Sequence, residues 1–478
     1  MQPTRHGNPL RRTLGARHIN LMALGATIGV GLFLGSATAI RLAGPSILLG
    51  YAFVGVFVFF VMRALGEMAV ANPVAGSFNR YAYEYIGPRA GFLTGWTYWF
   101  MWILCIMAEV TAVAIYMKFW FLGTPAWVWS LAALATMGLL NFVAVRAFGE
   151  LEFWFAAVKI VTIVFMILSG IGIIGFGFGN GGVATGIANL WRHGGFLPNG
   201  MWGLASAIPM VVFAYLGVEI IGLTAGETKN PEKSLARAVN SVFWRIAIFY
   251  IGALFIIMSL YPWNAIGTQG SPFVLTFERL GIRGAAGIIN FVVLSAALSS
   301  CNSGIFGTAR IVFNLAQQGQ APRIFAHTSK SGVPAGAVVL TLVAALLGVL
   351  LNYVAPKDLF EWLTAIGTFA GLFSWAVILV AHYRFRRQRI RQDNRMPMPW
   401  WPYSSYSTLA FLAALVIFML KFDETRIAVI VDPLWLAFLW VVYGLSVKSG
   451  IFRKGVPSPG ASFAVEGVTS DRPDGSSL

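Results

Sequence analysis

Three ionisable residues, Lys159, Glu219 and Glu109, stand deep inside long apolar runs, where a charge is expensive and usually has a task. Lys159 lies in ELEFWFAAVKIVTIVFMIL, roughly 13 Å along a helix from Glu150. At that depth a long amine either snorkels toward the headgroups or changes charge during a working cycle, and the second behaviour is that of a proton carrier. Glu109 and Glu219 read either as proton-exchanging carboxyls or as neutral, hydrogen-bonded structural groups.

Two apolar runs near these residues are interrupted. LMALGATIGVGLFLGSATA crowds Gly25, Gly29, Gly31 and Gly35 into its middle. VFAYLGVE places Gly217 beside Glu219. Glycines of this kind either let two helices pack closely or break a helix. Unpaired backbone at membrane depth is tolerated where it is buried or lines a cavity, and the half-helix ends then bind ions and charged ligands. A further polar stretch, Ser295, Ser299, Ser300, Asn302 and Ser303 with Gly304, either glues helices together or lines a site. Glu227, where the sixth run meets water, reads as a gate or as a solvated helix end.

The elements that position these residues follow from composition. Of 478 residues 58% are hydrophobic and 11% charged, against roughly a quarter charged in soluble domains. Twelve apolar stretches approach the length of about 20 residues that a membrane crossing requires. They run at 19–41, 46–70, 92–122, 126–146, 151–176, 201–224, 242–261, 286–316, 335–354, 359–382, 404–421 and 428–447. The first is too long for a signal-peptide core and is followed at once by another span, so it is read as a retained helix.

The net charge of +16 belongs to the gaps between spans and not to a nucleic-acid patch. With both termini inside, the cytoplasmic segments hold about three times as many Lys and Arg as the outer ones. Arg63 and Glu67, four apart, are expected to form a structural ion pair at the inner end of the second span. The segment 225–240 reads as a short interfacial helix opening at Pro231, and 457–478 as a disordered cytoplasmic tail.

Several classes are excluded. Cys105 and Cys301 lie inside apolar runs and form neither a disulfide framework nor a metal site. No cofactor is expected, no phosphate-binding loop occurs, and the five histidines are scattered, so catalysis has no constellation to rest on. The partners expected from these residues are the lipid bilayer and a proton.

The stretches RHINLMALGATIGVGLFLGSA, MRALGEMAV, FGELEFWFAAVKI, FAYLGVEIIGLTAGETKNPEKS and INFVVLSAALSSCNSGIFGTAR carry a resemblance over about residues 10–450. The chain resembles bacterial amino acid permeases of the amino acid–polyamine–organocation superfamily, in the proton-coupled branch. Within that branch it is most similar to proline-type permeases, with histidine, threonine and aromatic carriers near by. The resemblance implies an all-α membrane protein of about 12 helices, an inverted five-plus-five repeat with broken helices 1 and 6, plus two C-terminal helices. It divides the chain into a cytoplasmic segment 1–18, repeats 19–176 and 201–382, two added helices 404–447 and the tail 457–478.

It also implies a site. The substrate carboxylate would meet backbone amides of Gly29, Val30 and Gly31. The ammonium would meet carbonyls of Thr27, Phe213, Ala214 and Leu216. Phe213 stands at the aromatic outer gate, and Tyr215 and Glu109 belong to the pocket walls. Lys159 matches the lysine that replaces a sodium ion in sodium-coupled relatives, which implies proton symport. The implied activity is import of a neutral amino acid across the bacterial inner membrane by alternating access. An amino-acid exchanger and a non-transporting sensor are the alternatives.

Overall fold

The structure, a computed structural model, describes residues 28–72, 77–143, 145–178, 181–223, 239–242, 244–266, 271–274, 284–329, 332–354, 359–388 and 396–450. Thr27, Glu227, the segment 1–18, the tail 457–478 and most of the interfacial segment 225–240 lie outside the described residues. The described chain is helix and turn throughout, without a strand. Eight of its helices are long and apolar enough to cross a membrane, and Ala126–Phe142, Gly200–Tyr215 and Tyr403–Met419 are shorter apolar helices. Each of the twelve expected stretches contains helix.

In chain order the helices are α1 (Val30–Phe33), α2 (Gly35–Ala43), α3 (Ile47–Ala71), α4 (Pro88–Met117), α5 (Ala126–Val143), α6 (Val145–Phe176), α7 (Gly200–Tyr215) and α8 (Ile220–Leu223). They continue as α9 (Ala253–Leu260), α10 (Ala285–Gln317), α11 (Ala335–Val354), α12 (Leu359–Gln388), α13 (Tyr403–Met419) and α14 (Asp423–Lys448). A π-helical turn at Ile246–Gly252 leads into α9.

The core is built around α4, which packs along α10 and α12. Pro88 opens α4 at a position where a missing N–H costs nothing, after Gly87 at φ 142°. Met101 to Ala114 are then buried almost without interruption. By contrast α14 exposes Leu434, Phe438, Val441 and Leu445, the apolar face that a bilayer would cover.

Helix α6 shows how a span apolar on every side still has two faces. Trp154, Val158, Val161, Phe165 and Leu168 form an exposed stripe at helical spacing. Glu152, Ala156, Lys159, Ile163 and Met166 form the buried stripe. Lys159 therefore points into protein, and its side chain is 0% exposed.

The expected pairing of Arg63 with Glu67 gives way to longer-range partners. Arg63 donates to Asn240 and to the carbonyl of Pro397. Glu67 accepts a two-pronged bond from Arg386 at 2.7 and 2.9 Å, a contact from His382 at 3.0 Å and the backbone N–H of Met398 at 2.8 Å. A forked guanidinium and a backbone amide satisfy a buried carboxylate better than one exposed arginine a turn away. This knot ties the end of α3 to α12 and to the segment after it. Glu67→Ala strands those donors, so it is expected to lower stability by on the order of 3 kcal/mol, read as a lower melting temperature of the detergent-solubilised protein.

Candidate functional site

Helix α1 starts at Val30, and Gly29 before it is extended, with φ −121° and ψ −157°. Its partner α7 ends at Tyr215; Leu216 turns out of the helix with ψ 145°, Gly217 takes φ 94°, and winding resumes at Ile220. An L side chain strains at such a φ, which explains a glycine here. The gap at 216–219 is the interruption expected of the sixth span.

The start of α1 and the end of α7 touch. A Cβ added to Gly31 would lie 2.6 Å from Ala214 Cα, so the absence of a side chain sets how closely α1 approaches α7. At Gly29 the neighbours are Glu109 Oε1 at 2.8 Å and Ser300 Oγ at 3.0 Å from the same notional atom. Gly29, Val30, Gly31, Ala214, Glu109 and Ser300 are thus gathered in one place from α1, α7, α4 and α10. The Val30 N–H donates to Glu109 Oε1 at 3.3 Å, so a carboxylate already occupies part of the helix N-terminus.

Lys159 reaches the same place from α6. Its Nζ donates to the carbonyl of Ile28 at 3.1 Å, immediately before the start of α1. The carboxyls that act electrostatically on it are Glu152 and Glu109.

The remaining expected residues are distributed more widely. Phe213 is buried, with its ring edge near Gly367 and its centroid 6.5 Å from that of Phe360. The carbonyl of Phe213 accepts the Leu216 N–H at 3.1 Å, and that of Ala214 accepts the Tyr250 hydroxyl at 2.9 Å. Each keeps a second lone pair for a ligand. Tyr215 packs edge-on against Tyr51 and tilted against Tyr250, and donates to the Tyr51 carbonyl at 2.9 Å.

Glu219 braces the break itself. It accepts from the Gly217 N–H at 3.1 Å, the Tyr98 hydroxyl at 3.0 Å and the Trp375 indole at 3.3 Å, holding the α7–α8 gap against α4 and α12. Ser299 donates to Glu152 at 2.7 Å. Glu152 was missed by the sequence reading because it sits near the end of a span, although its spacing of seven from Lys159 marks both as members of one helical face.

A site where the start of α1 faces the interruption between α7 and α8, with a buried amine beside it, accompanies matches to known proteins. The amino acid permease family model matches residues 18–454. The chain is 58% identical over 437 residues to the uncharacterized amino acid permease YtnA of Bacillus subtilis, covering 91% of this chain and 94% of the relative. It belongs to the amino acid permease family. This permease is also 49% identical to the probable threonine/serine transporter YbxG of Bacillus subtilis, over 91% of this chain and 94% of that one. The aromatic amino acid transport protein AroP of Escherichia coli is 44% identical, over 94% of this chain and 98% of its own. The permease is therefore a multi-pass membrane transporter and not an enzyme, with an amino acid as its cargo.

Proposed function

We propose that this permease imports a small neutral amino acid together with a proton across the bacterial inner membrane, with both termini in the cytoplasm. One observation carries the reading: the buried Lys159 amine is hydrogen-bonded to the Ile28 carbonyl, just before the start of α1. A proton arriving at or leaving that amine changes the electrostatics of the backbone that would hold the substrate, which couples the two events.

The recognition chemistry follows from helix ends. The N-terminus of α1, at Gly29, Val30 and Gly31, favours the substrate carboxylate. Carbonyls at the end of α7, from Phe213, Ala214 and Leu216, favour the ammonium, with Thr27 added from the first helix. Arranged this way, the permease recognises the backbone half of any amino acid and leaves the side chain to Phe213, Tyr215 and Glu109. Residues 19–176 and 201–382 act as the two inverted repeats around this centre, 404–447 flank them, and Glu227 serves the inner gate.

For the substrate, proline and the hydroxylated amino acids threonine and serine come first. Proline follows the sequence resemblance, and the others follow a relative named for threonine and serine. In proteoliposomes, an inward gradient of one pH unit supports about tenfold accumulation at one proton per substrate. Competition by all twenty amino acids against labelled proline and threonine identifies the cargo. Accumulation that requires sodium, or uptake that occurs only into preloaded vesicles, defeats the symport reading and favours, respectively, a sodium-driven carrier or an exchanger.

A further inference from the structure

Glu152 is a buried carboxyl for which the cycle above has no task. It lies on the inward stripe of α6 seven residues before Lys159, two turns or roughly 10 Å along the helix. Helical Cα–Cβ bonds tilt toward the N-terminus, so the Lys159 stem leaves the backbone in the direction of Glu152. Oε1 of Glu152 accepts the Ser299 hydroxyl at 2.7 Å. Asn302 and Ser303 flank the same carboxyl from α10. The carboxamide oxygen of Asn302 is held by Asn141 of α5 at 2.8 Å.

Asn302 and Ser303 stand close enough to act on the carboxyl as hydrogen-bond donors, yet among the described residues Glu152 Oε2, Asn302 Nδ2 and Ser303 Oγ fall short of full hydrogen-bond geometry, in residues no more than 4% exposed. Donors placed around a carboxyl in this loose way suit a group that exists both as carboxylate and as acid. As a carboxylate it accepts from Asn302 Nδ2 and Ser303 Oγ; as an acid it donates its own proton.

We propose that Glu152, set among Ser299, Asn302 and Ser303, is a second proton site that takes the proton from Lys159 and releases it toward the cytoplasm. The inference rests on the reading of Lys159 as a proton carrier. In the transfer one N–H bond of the Lys159 ammonium breaks and one O–H bond forms on the Glu152 carboxylate. A charged pair becomes a neutral amine and a neutral acid. No net charge enters or leaves the cluster, so the low dielectric opposes the step far less than it would oppose moving a lone ion. The acid then loses its proton to water at the end of α6 read as cytoplasmic, which restores the carboxylate. The ionisable groups facing this exchange are Lys159 on α6 and Glu109 on α4; α10 and α5 present the neutral Ser299, Asn302, Ser303 and Asn141.

The test uses the full-length permease in proteoliposomes, with labelled threonine and labelled proline as probes. Glu152→Gln is expected to exchange preloaded substrate at about the wild-type rate. Under an inward gradient of one pH unit it should accumulate about tenfold less than wild type, and a lumenal pH dye should report no substrate-induced acidification. Glu152→Asp should restore both signals. Wild-type accumulation in the Gln variant overturns the proposal. Loss of exchange in that variant overturns it as well, by making the carboxyl a packing or substrate group. If the wild type exchanges but shows no proton-driven accumulation, the parent reading fails and takes this one with it. If wild type and variant both accumulate, this inference alone fails.

Discussion

Lys159→Ala abolishes concentrative uptake while the solubilised protein still runs as a folded species: this is the largest effect expected of any single side chain. The amine is fully buried and bonded to the Ile28 carbonyl, with Glu152 and Glu109 as its electrostatic partners. Alanine removes the bond and, among the described residues there, the one group that exchanges a proton as a cation. Under a one-unit inward proton gradient the accumulation ratio should fall about tenfold, to the value of passive equilibration. Lys159→Arg separates a proton carrier from a structural donor. Arginine keeps the positive charge and the hydrogen-bond donors but does not lose its proton in a protein. It should therefore leave accumulation as low as alanine does, whereas a purely structural donor would be restored by it. Unchanged accumulation in the alanine variant, or full recovery with arginine, removes Lys159 from the coupling mechanism.

The features legible in the sequence were those written in local composition. Span length, the gathering of basic residues in the connections between spans and the glycines of the two runs read as interrupted are properties of neighbouring residues, and hydrophobic patterning reports them directly. Lys159 was legible for the same reason, since a lysine in an apolar run is conspicuous. Partnerships that cross between helices were not legible. Glu67 was assigned to the nearest cation, Arg63, yet its partners Arg386 and His382 lie more than three hundred residues away in the chain, and only packing of α3 on α12 brings them together. Glu152 was hidden differently. Near a span end an acid is not conspicuous, and the stripe that buries it becomes visible only once α6 is known to face α10.

Glu219 reads from the sequence either as a coupling acid or as a hydrogen-bonded structural carboxyl, and the structure surrounds it with Tyr98, Trp375 and the Gly217 amide. Three donors on one carboxyl fix the geometry of the break, so any protonation of Glu219 would act by loosening the α7–α8 gap. Proton exchange and mechanical support are then not exclusive roles at this position.

The second large effect belongs to a residue with no side chain. A methyl group on Gly31 would lie 2.6 Å from Ala214 Cα and 3.2 Å from Ala214 N. These are backbone atoms, which cannot turn aside as a flexible side chain does, so Gly31→Ala must push α1 and α7 apart. Those two helices carry the amides and carbonyls expected to hold the two ends of the substrate, and a displacement near 1 Å can cost on the order of 100-fold in rate when groups must meet in register. Uptake per folded molecule should fall by about that factor, and because the contact is buried the overpacking should also lower stability by about 1–3 kcal/mol, so uptake is normalised to the folded protein seen by size-exclusion chromatography. Gly307→Ala on α10 is the control: no atom lies within 4 Å of its added methyl, and alanine is the better helix former. Transport by the Gly31 variant within about threefold of wild type would show that close approach of α1 to α7 is not required for function, and the broken-helix site would lose its main geometric support.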